Sequence, residues 1–259
     1  MSRLTPKKTG GRYQALDSLR GLLLVQMIAY HALYDVVYIL GVPIPWYTGP
    51  AGYVWQQSIC WGFILLSGFC FRLSRHPVRH GLTVLGAGLL VTLATWLAMP
   101  SEFILFGVLY LLGLAALLQC AVWALCSRWQ LPPFSPWLGL ALNLAAFFLT
   151  RNVPRGWLGF ESLRLCPLPP WLYQWDWLAV AGLPGPGFSS SDYFPLIPWV
   201  FLYLTGYFLW RLADSRRQVM DRLKPGIPGL AFLGRHSLLI YLLHQPALMA
   251  VFWLVRQTA

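Results

Sequence analysis

An all-α polytopic membrane helix bundle is the fold this sequence predicts, with about seven transmembrane helices, the N-terminus inside and the C-terminus outside. Three observations predict it. Of 259 residues, 58% are hydrophobic and only 10% are charged, whereas a soluble domain carries roughly 25% charged residues. The apolar residues fall in blocks of 14 to 26 almost free of charge, and about 20 such residues take a helix across the hydrocarbon core. Finally, Lys and Arg gather in cytoplasmic loops. Of the 19 here, 14 fall on the predicted inner side, four on the outer side, and Arg20 lies inside a span.

The predicted spans are 16–40, 52–73, 82–99, 103–126, 137–150, 195–212 and 230–255. The first begins only at Leu16 and lacks a small-residue cleavage site, so it reads as a retained span and not as a signal peptide. Its basic approach, residues 1–15 with Arg3, Lys7, Lys8 and Arg12, stays in the cytoplasm. Arg72, Arg75 and Arg79 follow the second span, and Arg128 the fourth. The fifth is short, and Pro132, Pro133 and Pro136 crowd its start. Removing it would put Arg211, Arg216, Arg217, Arg222, Lys224 and Arg235 outside, so the charge bias argues that it crosses. No repeat and no inverted pair of broken helices is visible, which leaves one membrane domain, 16–256.

The net charge of +11 does not point to nucleic acid, because no basic motif is interleaved with aromatics in a soluble module. Cys60, Cys70, Cys120, Cys126 and Cys166 show no metal-site spacing, so no metal is expected. The longest loop, 151–194, is rich in Pro and Trp (Trp157, Trp171, Trp175, Trp177). Its indoles fit either the headgroup level of the bilayer or an aromatic platform for an external acceptor. On the second reading, Trp171, Trp175 and Asp192 face that acceptor.

Ionisable residues inside a span default to a functional hypothesis. At 100° per residue from Arg20, Asp17 falls at about 60°, His31 at about 20°, Asp35 at about 60°, Tyr34 at about 320° and Tyr38 at about 0°, one polar stripe. Arg20 and His31 are about 16 Å apart along the axis and address one cavity at two depths. Asp35, at i+4 from His31, is placed to accept a hydrogen bond from one imidazole nitrogen and leave the other as a general base. In the seventh span, Ser237, Tyr241 and His244 share a face and form a second polar stripe.

Along these stripes a family resemblance becomes visible. Leu16-Asp17-Ser18-Leu19-Arg20-Gly21 followed by His31 resembles the Arg-x10-His signature that opens the integral-membrane acyltransferases. Phe63-Ile64-Leu65-Leu66-Ser67-Gly68, Phe106-Gly107-Val108-Leu109, Leu233-Gly234-Arg235-His236-Ser237-Leu238 and Ile240-Tyr241-Leu242-Leu243-His244-Gln245-Pro246 narrow it. Together they resemble bacterial proteins grouped with the heparan-alpha-glucosaminide N-acetyltransferase catalytic domain. The resemblance implies transfer of an acyl group, typically acetyl, from cytosolic acyl-CoA to a hydroxyl or amine acceptor, often a sugar, at the other face. In the eukaryotic heparan enzyme the catalytic histidine follows the first span, but the matching segment here, 41–50, contains none. His31 takes the Arg-x10-His position instead.

The expected catalytic pair is therefore His31 with Asp35. Supporting or donor-binding roles are expected for Asp17, Arg20, Tyr34, Arg72, Arg75, Arg235, His236, Ser237, Tyr241, His244 and Gln245. Acetyl-CoA is expected as co-substrate, with no tightly bound cofactor, and the protein is expected in the cell membrane, where a homo-oligomer is compatible with the bundle. A proton-coupled small-molecule transporter using the His31, Asp35 and Arg20 stripe is the rival reading, and a non-catalytic membrane scaffold a third.

Overall fold

The computed structural model describes residues 12–258; Arg3, Lys7 and Lys8 of the basic tail lie outside them. Of the described residues, 74% are helical, as an all-α bundle requires. Among them, six helices are long and apolar enough to cross a membrane: Gln14–Ile39, Pro50–Leu73, Pro77–Ala98, Val108–Arg128, Leu196–Asp214 and Ser237–Leu254. On the third of these, Leu89, Leu90, Leu93, Trp96 and Leu97 are each at least half exposed. Such a surface is stable where lipid covers it.

Chain contacts divide the protein into two compact units, Ser67–Ser215 and the discontinuous 12–66 with 216–258. The discontinuous unit opens with α1 (Gln14–Tyr34), whose end continues as a π turn over Asp35–Ile39. The short α2 (Pro45–Thr48) and α3 (Pro50–Cys70) follow, α3 running on into the other unit. Its remaining helices are α8 (Arg217–Arg222), α9 (Pro228–Arg235) and α10 (Ser237–Thr258). Leu24, Met27 and Ile59 form a buried core ringed by Tyr30, Trp55, Phe63, Ile240 and Tyr241.

The predicted span 230–255 is corrected here, because the chain breaks at His236 and only α10 is long enough to cross. His236 ends α9 by directing Nδ1 to the Phe232 carbonyl at 2.9 Å, a side-chain cap on a helix C-terminus. Hydropathy runs smoothly through this break and gives no sign of it.

The continuous unit holds α4 (Pro77–Ala98), α5 (Val108–Arg128), α6 (Pro136–Thr150) and α7 (Leu196–Asp214). α4 starts five residues before the predicted boundary. Pro77 is fixed in a helical φ and suits a first turn, and the polar Arg79 and His80 hide that turn from an apolar criterion. Gly68 fits the close packing expected of it, since a Cβ there would lie 1.8 Å from the Tyr203 carbonyl oxygen. α6 has 15 residues, about 22 Å, against a hydrocarbon core of about 30 Å. The seventh crossing, and with it an outer C-terminus, therefore rests on the charge bias.

The segment 151–194 is ordered around a hairpin, β1 (Trp157–Phe160) with β2 (Leu163–Pro167), antiparallel with a bulge between Leu158 and Gly159. Asn152 is buried and its amide donates to the carbonyls of Glu161 at 3.0 Å and Leu163 at 3.2 Å. Arg151 pairs with Glu161 at 3.0 Å. One polar side chain thereby anchors the turn of the hairpin, in a stretch the hydrophobic pattern leaves blank.

Candidate active site

Two of the sequence motifs face each other in the discontinuous unit. The first amides of α1, which have no partner within their own helix, donate to the chain just after α8: Gln14 N–H to the Lys224 carbonyl and Ala15 N–H to that of Leu223, each at 3.1 Å. One turn on, the Ser18 hydroxyl accepts from the Ile227 amide at 2.9 Å, just ahead of α9. A Cβ on Gly21 would lie 2.0 Å from the Leu230 carbonyl oxygen, and one on Gly234 would lie 1.9 Å from that of Asp17. The Leu-Asp-Ser-Leu-Arg-Gly and Leu-Gly-Arg-His-Ser-Leu segments are thus two halves of one glycine-mediated contact. Asp17, itself buried, pairs with Arg12 and with Arg20 at 3.5 Å. Desolvation of its carboxylate is offset by two guanidinium groups, which leaves Arg20 engaged.

Toward the far end of α1 the second cluster forms. The rings of His31 and His244 have centroids 4.9 Å apart. Asp35 is fully buried, and its Oδ1 accepts from Gln245 Nε2 at 2.9 Å. The expected hydrogen bond between Asp35 and His31 does not form. A donor from α10, invisible to the geometry of one helix, takes the carboxylate instead. His244 Nδ1 meets the Tyr241 carbonyl oxygen. A carbonyl only accepts, so Nδ1 carries the proton and Nε2 holds the lone pair of the neutral ring. The tautomer that sequence spacing assigned to His31 through Asp35 is instead fixed at His244 by backbone.

Asp35 Oδ2, Gln245 Oε1 and His244 Nε2 are buried and make no hydrogen bond with the described residues. All three are acceptors. The Gln245 assignment is fixed by the carboxylate, which repels an amide oxygen and attracts the NH₂. The cluster therefore lacks donors, and it complements a group that brings O–H or N–H bonds.

Aromatic side chains enclose this end. Tyr47 is buried and donates from its hydroxyl to the Tyr30 carbonyl at 3.1 Å, Trp55 Nε1 donates to Gln26 at 3.2 Å, and the Tyr30 ring meets that of His31 edge-on at 6.1 Å. Tyr34 and Tyr38 pair at 4.6 Å. The π turn shifts the register after Asp35, with Leu40 N–H bonding to the Asp35 carbonyl at 3.0 Å. Tyr38 therefore leaves the stripe predicted at 100° per residue and is 59% exposed. Neither Tyr47 nor Trp55 was marked by sequence; both lie on elements that carry no Asp, Glu, His, Lys or Arg.

Within the same unit, Tyr241 meets the cluster through His244, while Arg235, His236 and Ser237 have other surroundings. Arg235 is exposed, 5.9 Å from the Phe232 ring, and His236 caps α9. Ser237 opens α10 without a hydrogen bond to the described residues, while the Tyr241 ring lies 5.4 Å from that of His244. In the continuous unit, Arg72 stacks on Trp123 at 3.9 Å, Arg75 is exposed, and Trp171 and Trp175 are 64% and 58% exposed.

Asp192 has a local partner. Its carboxylate takes a hydrogen bond from the Val108 amide at the start of α5 and packs so closely on Gly107 that a Cβ there would lie 3.1 Å from Oδ2. Gly107 of the Phe-Gly-Val-Leu motif makes room for that cap. Burial pushes the Asp192 carboxyl up from 3.8 to about 6, against the pull of the Val108 hydrogen bond. A raised folded-state value stabilises most below pH 4, and that contribution is lost as pH rises through about 6. Thermal unfolding of Asp192→Asn should therefore gain on wild type as pH rises from 4 to 7, the amide still accepting from Val108. A difference between the two proteins that stays flat over this range would remove the assignment.

In a multi-pass helical membrane protein, a buried histidine, carboxylate and amide cluster marks a candidate functional site. The chain belongs to the family described as Heparan-alpha-glucosaminide N-acetyltransferase, catalytic, whose model matches residues 12–246, and it is a membrane acetyltransferase by that membership. No curated protein and no solved structure matches it.

Proposed function

We propose that the protein transfers an acyl group, acetyl in the first instance, from cytosolic acyl-CoA to a hydroxyl or amine on a sugar or similar acceptor at the outer face of the cell membrane. The observation that carries this, beside the family, is the donor-free cluster of Asp35, His244 and Gln245 beside His31. An acceptor O–H or N–H is the group such a cluster is built to hold. His31 takes the proton as the acceptor atom attacks the thioester carbonyl, the C–S bond breaks, and the proton passes to the departing thiolate. Asp35 Oδ2 and His244 Nε2 accept hydrogen bonds from neighbouring O–H or N–H groups of the acceptor and so hold the attacking atom at the imidazole. With the seven-span topology, Trp171 and Trp175 lie on the acceptor side.

Proteoliposomes loaded with acetyl-CoA and given amino sugars or neutral sugars outside test the whole reading. Acetylated sugar should appear outside while free CoA thiol accumulates inside. Proton-gradient-driven uptake of a small molecule without any CoA release would favour the transporter and overturn the acyltransferase.

A further inference from the structure

Arg72 lies on a short 3-10 turn, Phe71–Leu73, that follows α3. Its guanidinium carbon is 3.9 Å from the ring centroid of Trp123 on α5 and 5.6 Å from that of Trp210 on α7. Phe71 packs on Trp123 at 6.3 Å and on Tyr207 at 6.2 Å, and Tyr207 stacks on Trp210. The Arg72 guanidinium makes no hydrogen bond and no ion pair with the described residues; its electrostatic neighbours are Tyr207, Asp214 and Arg211. Arg211 in turn donates Nη1 to the Phe134 carbonyl at 2.7 Å. The Trp210 indole N–H is buried and has no hydrogen-bond partner among the described residues.

Stacking on an indole occupies the face of a guanidinium and leaves its in-plane N–H fork available. That fork and the Trp210 N–H are donors only. The cluster is the converse of the one at Asp35, with fixed donors in place of orphan acceptors. Such a planar fork recognises an oxyanion that presents two oxygens side by side, a phosphate group among them.

We propose that Arg72, Trp123 and Trp210 form a phosphate site, in which the Arg72 fork holds two oxygens and Trp210 Nε1 donates to the same group. Two sources share this chemistry: the phosphates of acyl-CoA, a choice that rests on the acyltransferase reading, and the headgroup of an anionic phospholipid.

The test uses the full chain in phosphatidylcholine nanodiscs, titrated with CoA and with inorganic pyrophosphate, and separately exchanged with phosphatidylglycerol. Arg72→Lys keeps the charge and loses the fork, and Trp210→Phe keeps the ring and loses the N–H. Arg72→Lys should weaken binding of the true ligand roughly 10- to 100-fold, and Trp210→Phe several-fold, as expected for charge-assisted hydrogen bonds. Loss confined to CoA and pyrophosphate identifies the donor arm, and loss confined to phosphatidylglycerol identifies lipid. Binding of all three probes to both variants as to wild type overturns the site while leaving the acyltransferase reading intact. Arg72-dependent lipid binding with no CoA binding by wild type sustains the site and removes acyl-CoA as donor. Should Arg72→Lys fail to fold, Trp210→Phe decides alone.

Discussion

Alanine in place of His31 is expected to lower the rate of acyl transfer by about 10² to 10⁴-fold, the range typical of general acid–base assistance, while the protein should still insert and melt as wild type does. The two readouts should separate for a structural reason. His31 makes ring contacts with Tyr30 and His244 and holds no hydrogen bond to the described residues, so its removal orphans no buried partner. Asp35→Asn should cost less activity, because Gln245 still donates to the remaining carbonyl oxygen while the charge that steadies a nearby imidazolium is gone. Acetyl transfer and thermal unfolding, measured on one preparation of each variant, check both statements. Full activity in a folded His31→Ala protein would eliminate His31 as the base.

Gly21→Ala has the largest expected effect on stability. Its new methyl would sit 2.0 Å from the Leu230 carbonyl oxygen, and backbone cannot swing aside as a side chain does. α9 must withdraw from α1, which breaks the reciprocal contact of Gly234 with Asp17 and the hydrogen bonds of Ser18. A loss of about 3 kcal/mol or more follows, at the top of the range for overpacking. Gly229→Ala, on α9 itself, supplies the control: nothing lies within 4 Å of its Cβ, and it should be neutral or slightly stabilising. Denaturant titration in detergent distinguishes them, and equal stability of the two variants would show that α9 does not pack on α1 as described.

Sequence patterning located six long helices, five of them to within five residues at each end, because lipid imposes a coarse rule, length and apolarity, that survives errors of detail. What it missed is tertiary. The break at His236 depends on a side chain turning back to Phe232. The partner of Asp35 comes from a helix 210 positions away, which a helical wheel drawn for one span cannot contain. The motifs marked the right segments for a partly different reason: Gly21, Gly234 and Gly107 are there for backbone or carboxylate approach, while the ionisable residues between them divide into a paired group at Asp17 and Arg20 and an unpaired one at His31. The Trp pair around Arg72 carries no signal at all among so many aromatics.

The join between the start of α1 and the segment ahead of α9 bears on how the protein is made. The amides of Gln14 and Ala15 and the hydroxyl of Ser18 find their partners about 209 residues further along. α1 therefore enters the bilayer with its opening turn unsatisfied while Ser67–Ser215 is synthesised, and that continuous unit can assemble on its own schedule. The discontinuous unit closes only when α8 and α9 arrive. Chains stalled before that point would carry a settled continuous unit and an idle first helix, and would be a target for membrane quality control.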